Sequence, residues 1–206
     1  MKIIEAHYFP CIAYFAAFFY EDNIWLEGAE NYVKQSYRNR MIIRSANKVE
    51  SLSVPVQGGN SKTPIRDLKI DYAQSWVKDH WRALQSSYGK SPYFEYYEDY
   101  IRDVFDRQHK FLFDLNLESL TLCLKFLQMD AGVRITEAYG KEYKSPHTDL
   151  RGIISPKTEI SGYDFFSPEP YPQIFGKDFV ANLSVLDLLF CEGPNARTII
   201  KKSVFS

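Results

Sequence analysis

The sequence predicts an α/β domain: a mixed sheet drawn from the N-terminal half, then a central run of helices and a helical close. Three observations predict it. The first unit alternates strand, helix, strand over residues 2–28; residues 77–129 carry apolar positions at helical spacing; and the chain closes on NLSVLDLLFCEGPNARTIIKK, 182–202, two short helices split by a Gly-Pro stop. With 206 residues, one domain over 1–206 is expected, since two full domains would each be short of core.

Residues 2–7 read as a first strand, and Pro10 suits the first turn of a helix over about 11–21, where its missing N–H would be unpaired anyway. NIWLEG, 23–28, is a second strand. RNRMIIRSANKVESLSVPV, 38–56, reads as two extended runs joined by a turn at Ser45-Ala46-Asn47. QGGNSKTP, 57–64, is a loop by its Gly and Pro content, and IRDLKI, 65–70, alternates with period two as a strand would. Val77, Trp81, Leu84 and Tyr88 make a one-sided helix that Gly89 can close. Tyr93, Tyr97, Ile101, Val104 and Phe105 mark a second helix, and 117–129 a third with Asn116 as its N-cap. VRITEAY, 133–139, is a candidate strand. Otherwise regular signals fade from 130 to 172, with five prolines between 146 and 172, and so long an irregular stretch is a functional loop or a mobile one. Ser184 and Asp187 have the spacing of a capping box.

A net charge of −1 with dispersed Lys and Arg excludes the basic patch that nucleic-acid binding requires. Three cysteines without a CxxC pair point to a reducing, cytoplasmic setting. The most apolar stretch, CIAYFAAFFY, is ten residues long and bracketed by acidic residues, so it reads as a buried helix rather than a transmembrane segment or signal. His80, His109 and His147 lie far apart with no metal-ligand spacing, and no nucleotide-binding loop or nucleophile elbow is present. No motif specifies a cofactor.

His7 ends a strand just before a helix start, the carboxyl edge where ligands bind in open α/β sheets. Its imidazole is either a general acid or base there or a ring hydrogen-bonded to a loop carbonyl. Cys11 sits at a helix start but reads as a small buried side chain. In Tyr37-Arg38-Asn39-Arg40, the two arginines can grip a phosphate or carboxylate while the amide reads a hydroxyl. The alternative is a solvated edge strand. Lys157 is a point charge suited to phosphate, and Gln173 hydrogen-bonds in both directions. Asn182 precedes the cap and is free to reach the cleft of His7 if the last helices pack beside the first strand.

The order HYFP (7–10), SYRNR (36–40), SVPV (53–56), SPYF (91–94), YPQIF (171–175) and NLSVLDLLFCEGP (182–194) resembles the WbqC-like family. His7, Tyr8, Phe9 and Pro10 match its first motif, H-Q-P-x-Y-F-P-W, shortened by the Gln-Pro step and with Cys11 in place of the Trp. Asn39 and Arg40 match its N-R pair, Tyr171 and Gln173 its Y-x-Q, and Asn182, Leu183, Ser184 and Asp187 its N-L-S-x-x-D element. The resemblance implies a role in bacterial O-antigen or other surface-polysaccharide biosynthesis, with acyl or aminoacyl transfer to a sugar precursor. His7 would then be the catalytic base, and Tyr8, Asn39, Arg40, Lys157, Tyr171, Gln173 and Asn182 would contact a nucleotide- or lipid-linked sugar. A non-catalytic sugar-binding or assembly protein is the alternative.

Overall fold

Lys2–Glu5 forms the first strand, β1, and Ile3 and Ile4 within it are fully buried, as befits a strand covered on both faces. The computed structural model describes residues 1–59, 62–143 and 145–205. Helix α1 (Ile12–Ala16) follows, shorter than the sequence suggests because residues 17–20 continue as turns, and all five of its residues are buried. Next come β2 (Asn23–Glu27), the hairpin strands β3 (Arg40–Arg44) and β4 (Val49–Ser53), and three amphipathic helices, α2 (Trp76–Tyr88), α3 (Phe94–Asp106) and α4 (Leu112–Phe126). Strands β5 (Gly132–Ile135) and β6 (Thr148–Asp149) precede the closing helices α5 (Val185–Glu192) and α6 (Ala196–Lys202).

The protein is α/β, and its strands divide by direction. One sheet has the order β5-β2-β1-β6 with every pairing parallel, while β3 and β4 form a separate antiparallel hairpin. Two residues of β6 complete the parallel sheet from within the irregular 146–172 region. Such a short bridge carries no periodicity for a sequence reading to detect.

The expected strand at 65–70 is a 3-10 turn, Ile65–Asp67, followed by isolated bridges from Lys69 to Phe111 and from Ile70 to Val56. Ile65 and Leu68 are three residues apart, which the tighter turn puts on one buried face as readily as period two would. In the loop read at 57–64, Asn60 and Ser61 lie outside the described residues. Asn116 does not cap α4, which begins a turn earlier at Leu112. Asn116 is instead fully buried inside the helix, and its amide donates to the carbonyls of Arg38 (2.7 Å) and Ala6 (3.3 Å). The amide thereby ties α4 to the end of β1 and to the segment entering β3.

Asn182 also has a different duty from the one expected. Its side-chain oxygen accepts from the Ala13 N–H at 2.9 Å, supplying α1 with a cap that its own N-terminal residue, Cys11, does not provide. Its backbone is left-handed, φ 57°, a region asparagine tolerates better than most residues. The amide therefore serves the backbone, and the placement of a ligand cleft beside the C-terminal helices loses its support. Asn182→Ala is expected to destabilise the protein by about 1–2 kcal/mol, the cost of a lost cap. Asn182→Gly, which keeps the left-handed backbone without strain, should cost less. Urea unfolding of the two variants checks the order. An unchanged midpoint for Asn182→Ala would contradict it.

Candidate functional site at the carboxyl edge of the parallel sheet

Parallel register places Glu5, the last residue of β1, directly beside Glu27, the last of β2. Both carboxyls are buried, at 1% and 0% exposure, at the edge of the sheet where strand order reverses around β1. Buried carboxylates need partners, and the loops leaving the strands provide them. Glu27 accepts from the Thr136 hydroxyl (2.5 Å), the Ala29 N–H (2.9 Å) and Arg151 Nη1 (2.8 Å). Glu5 accepts from the Gly152 N–H at 3.1 and 3.2 Å and lies 3.4 Å from Arg38 Nη1. Arg38 in turn grips Glu30 with a forked pair of 2.7 Å hydrogen bonds. Arg151 also bonds Asp149 and lies 4.7 Å from the ring centroids of both Tyr139 and Tyr143.

Four carboxyls (Glu5, Glu27, Glu30, Asp149) face two guanidiniums (Arg38, Arg151), a formal charge of −2. Burial pushes the Glu30 carboxyl up, and the charges of Glu5 and Glu27 add to that against the pull of Arg38. Burial also acts to raise Glu5, but contact with the His7 ring and Arg38 outweighs it and holds that carboxyl low. Arg151 holds Asp149 low through its hydrogen bonds. A cavity of about 360 Å³ opens at this edge, lined by Ala29, Glu30, Asn31, Val33 and Tyr139. Glu30 is the charged group that borders it.

His7 is fully buried, with its Nε2 3.4 Å from Glu5 Oε1, its ring packed on Tyr14 and Tyr37, and no hydrogen-bond partner on either ring nitrogen. Burial pushes its pKa down against the pull of Glu5, so the imidazole is neutral. From the cavity inward, then, the charged groups run Glu30, Arg38, Glu5, with the neutral His7 behind them. The HYFP corner around it is held rigidly. Tyr8 N–H donates to the Tyr37 carbonyl, Phe9 N–H to Ser119 Oγ, and the Phe9 carbonyl accepts from Ser184 Oγ. Phe9 sits at φ 39°, a strained conformation for a bulky residue that costs of the order of 1–3 kcal/mol.

The remaining sequence candidates scatter. The Tyr8 hydroxyl pairs with His80 Nδ1 at 3.0 Å in the core. The Asn39 amide donates to the Val54 carbonyl while its oxygen lacks a partner, and Arg40 Nε is buried without one. The Lys157 side chain is exposed. Arg38, which the sequence also offers as part of a solvated edge, is 4% exposed and committed to Glu30. Tyr171 and Gln173 belong to a second buried cluster, in which Asp187 accepts from Tyr171 (2.6 Å), Tyr88 (2.8 Å) and Gln173 (3.3 Å), and Arg44 donates to Gln173 (2.9 Å). This corrects the capping box. Ser184 Oγ does accept from Leu186 N–H, but the Ser184 N–H goes to the Ile42 carbonyl, and Asp187 faces the tyrosines rather than reaching back.

Glu5, Glu27, Glu30 and Arg151 escaped the sequence reading. The available signal was two strands, KIIE and NIWLE, each ending on a glutamate at a predicted carboxyl edge. Among the described residues, no three His, Cys, Asp or Glu side chains are grouped to hold a metal ion, and no helix is long and apolar enough to cross a membrane.

The fold is an α/β domain whose parallel sheet holds a buried polar cluster at its carboxyl edge. The chain belongs to the WbqC-like protein family, whose profile matches residues 5–163 and 157–199. It is 26% identical over 221 aligned residues to the uncharacterized protein Rv1507c of Mycobacterium tuberculosis (strain ATCC 25618 / H37Rv), a match that covers 95% of each chain. No solved structure matches it.

Proposed function

We propose that this protein is a transferase of surface-polysaccharide precursor biosynthesis that moves an acyl or aminoacyl group onto the amine of a nucleotide- or lipid-linked sugar. The observation that carries the reading is the net-negative carboxyl-edge cluster presented to a cavity through Glu30. A negative, partly desolvated site draws in an ammonium, and the Glu30 carboxylate, whose pKa burial raises, is a better proton acceptor for it than an ordinary surface carboxylate. The freed amine attacks the carbonyl of an activated acyl donor, the new C–N bond forms, and the donor's leaving group departs. His7, neutral and behind Glu5, positions the carboxylate and guanidinium network rather than meeting the sugar. The unpartnered Arg40 Nε is suited to a phosphate or carboxylate of either substrate, with the exposed Lys157 a further cation for phosphate. Three free, buried cysteines accord with a cytoplasmic setting.

The second reading, a sugar-binding or assembly protein without catalysis, is favoured by the separation of Gln173 from His7. One experiment separates them: incubation with nucleotide-linked amino sugars and activated acyl donors, with the sugar product followed by mass spectrometry. Product is expected from the native protein, falling about 100-fold or more in Glu30→Gln while the fold is retained. Stabilisation by an amino sugar with no product supports the binding protein. Neither product nor stabilisation overturns both readings.

A further inference from the structure

Helices α3 and α4 pack side by side, and their outer faces bound a groove of about 540 Å³. Helix α4 lines it with Asp114, Leu117, Glu118, Thr121, Leu122 and Lys125, an unbroken stripe at helical spacing. Helix α3 adds Tyr100, Val104 and Arg107 at the matching spacing. Asn116, whose amide ties α4 to the end of β1, lies on the opposite side of the helix, so the stripe faces away from the sheet. Its apolar members are incompletely covered. Leu117 and Leu122 are partly exposed, Tyr100 is 49% exposed, and Tyr96, one turn earlier on α3, is 71% exposed.

The charges of the groove restrict what can cover it. Asp103, Asp114 and Glu118 stand against Arg107 and Lys125, a near balance that does not attract a partner of one sign. Their order along α4 is self-complementary instead. Laid antiparallel on a copy of itself about a two-fold axis between Ser119 and Leu120, the stripe sets Asp114 opposite Lys125 of the second copy. The same register sets Leu117 opposite Leu122, and Glu118 opposite Thr121, a small residue where the helices cross. Both end charges are free to pair in this way. Among the described residues, Asp114 has no salt bridge, and Lys125 has no carboxylate partner, its Nζ lying 5.2 Å from the Tyr100 ring centroid. Glu118 is already matched by Arg107 at 2.8 Å, so its two copies bring no unpaired charge to the crossing.

We infer that this face is the surface through which two copies of the chain pair, each α4 seated in the other's groove. The contact is isologous, so it closes at two copies rather than growing into a filament. Leu117, Leu122 and the exposed tyrosines supply its apolar area, and the two Asp114–Lys125 pairs fix its direction. The inference goes beyond the transferase reading and does not depend on it, since no group of the carboxyl-edge cluster takes part.

Sedimentation equilibrium of the native chain from micromolar to millimolar concentration is expected to show mass rising from one chain to two and stopping there. Lys125→Glu and Asp114→Lys each place like charges opposite one another and should weaken the dimer by about tenfold or more. The double variant Asp114→Lys with Lys125→Glu restores opposite signs and should regain most of the native affinity. Thr121→Arg, which wedges a long side chain into the crossing, should leave the monomer. All three positions are exposed, so far-UV circular dichroism should be unchanged throughout. A monomer at every concentration, assembly beyond two copies, a dimer that the three single variants leave at native affinity, or a double variant no better than the single ones would overturn the inference.

Discussion

Replacing Arg38 by Leu is expected to cost about 3–5 kcal/mol of stability, the largest loss for any single substitution at the carboxyl edge. Arg38 is the shared cation of Glu30, at 2.7 Å through two nitrogens, and of Glu5, at 3.4 Å. All three are nine-tenths or more buried, so removing the guanidinium leaves two carboxylates in a medium that solvates them poorly. For a chain of this length, the loss corresponds to a fall in melting temperature of about 10 °C. Glu30→Gln in the Arg38→Leu background should recover part of it, because a neutral amide needs no counter-charge. Acid should narrow the gap as well, since protonating the orphaned carboxyls removes the penalty. Urea unfolding at neutral pH measures the effect, and a loss under about 1 kcal/mol would show that water already reaches the cluster.

Acidification from pH 6.5 to 4 is expected to destabilise the native protein by about 3 kcal/mol through His80 alone. The sign follows from burial. In the unfolded chain this imidazole takes a proton at about 6.5, whereas in the folded core desolvation holds it neutral down to about 4. Between those values, protonation favours the unfolded state, so stability is complete above the unfolded pKa and falls toward the folded one. Burial pushes His7 in the same direction, while the raised carboxyls of Glu30 and Asp187 work the opposite way. The contribution of His80 is therefore read as the difference between the native protein and His80→Asn, whose side-chain oxygen can replace Nδ1 as acceptor for Tyr8. The variant's stability should depend less on pH over this interval. Parallel curves for the two proteins would place a charged His80 in the native core.

Periodicity made the helices and the hairpin legible, because α2, α3 and strand β3 each bury a face that the sequence repeats. What periodicity could not reveal was pairing across long distances. The parallel sheet joins β1 to β6 over nearly 150 residues, and two of the residues that build the carboxyl-edge site, Thr136 and Arg151, reach Glu27 from the far side of the three central helices. His7 was legible as a residue of the right edge, since a strand followed by Pro10 announces it. Its burial was not, because that depends on Tyr14 and Tyr37 closing over the ring. Asn182 and Asp187 misled for a related reason: a local motif accounts for cap spacing, while their actual partners, Ala13, Tyr88 and Tyr171, come from elsewhere in the chain.

In the proposed reaction, the amine of a sugar substrate enters the carboxyl edge beside Glu30. A crystal structure of the protein with a nucleotide-linked amino sugar is the decisive measurement. The sugar amine is expected within hydrogen-bonding distance of a Glu30 carboxylate oxygen in the cavity bordered by Ala29, Val33 and Tyr139, with its density lost in Glu30→Gln crystals. An amino sugar bound elsewhere, with the Glu30–Arg38 pair untouched and the cavity unfilled, would contradict it.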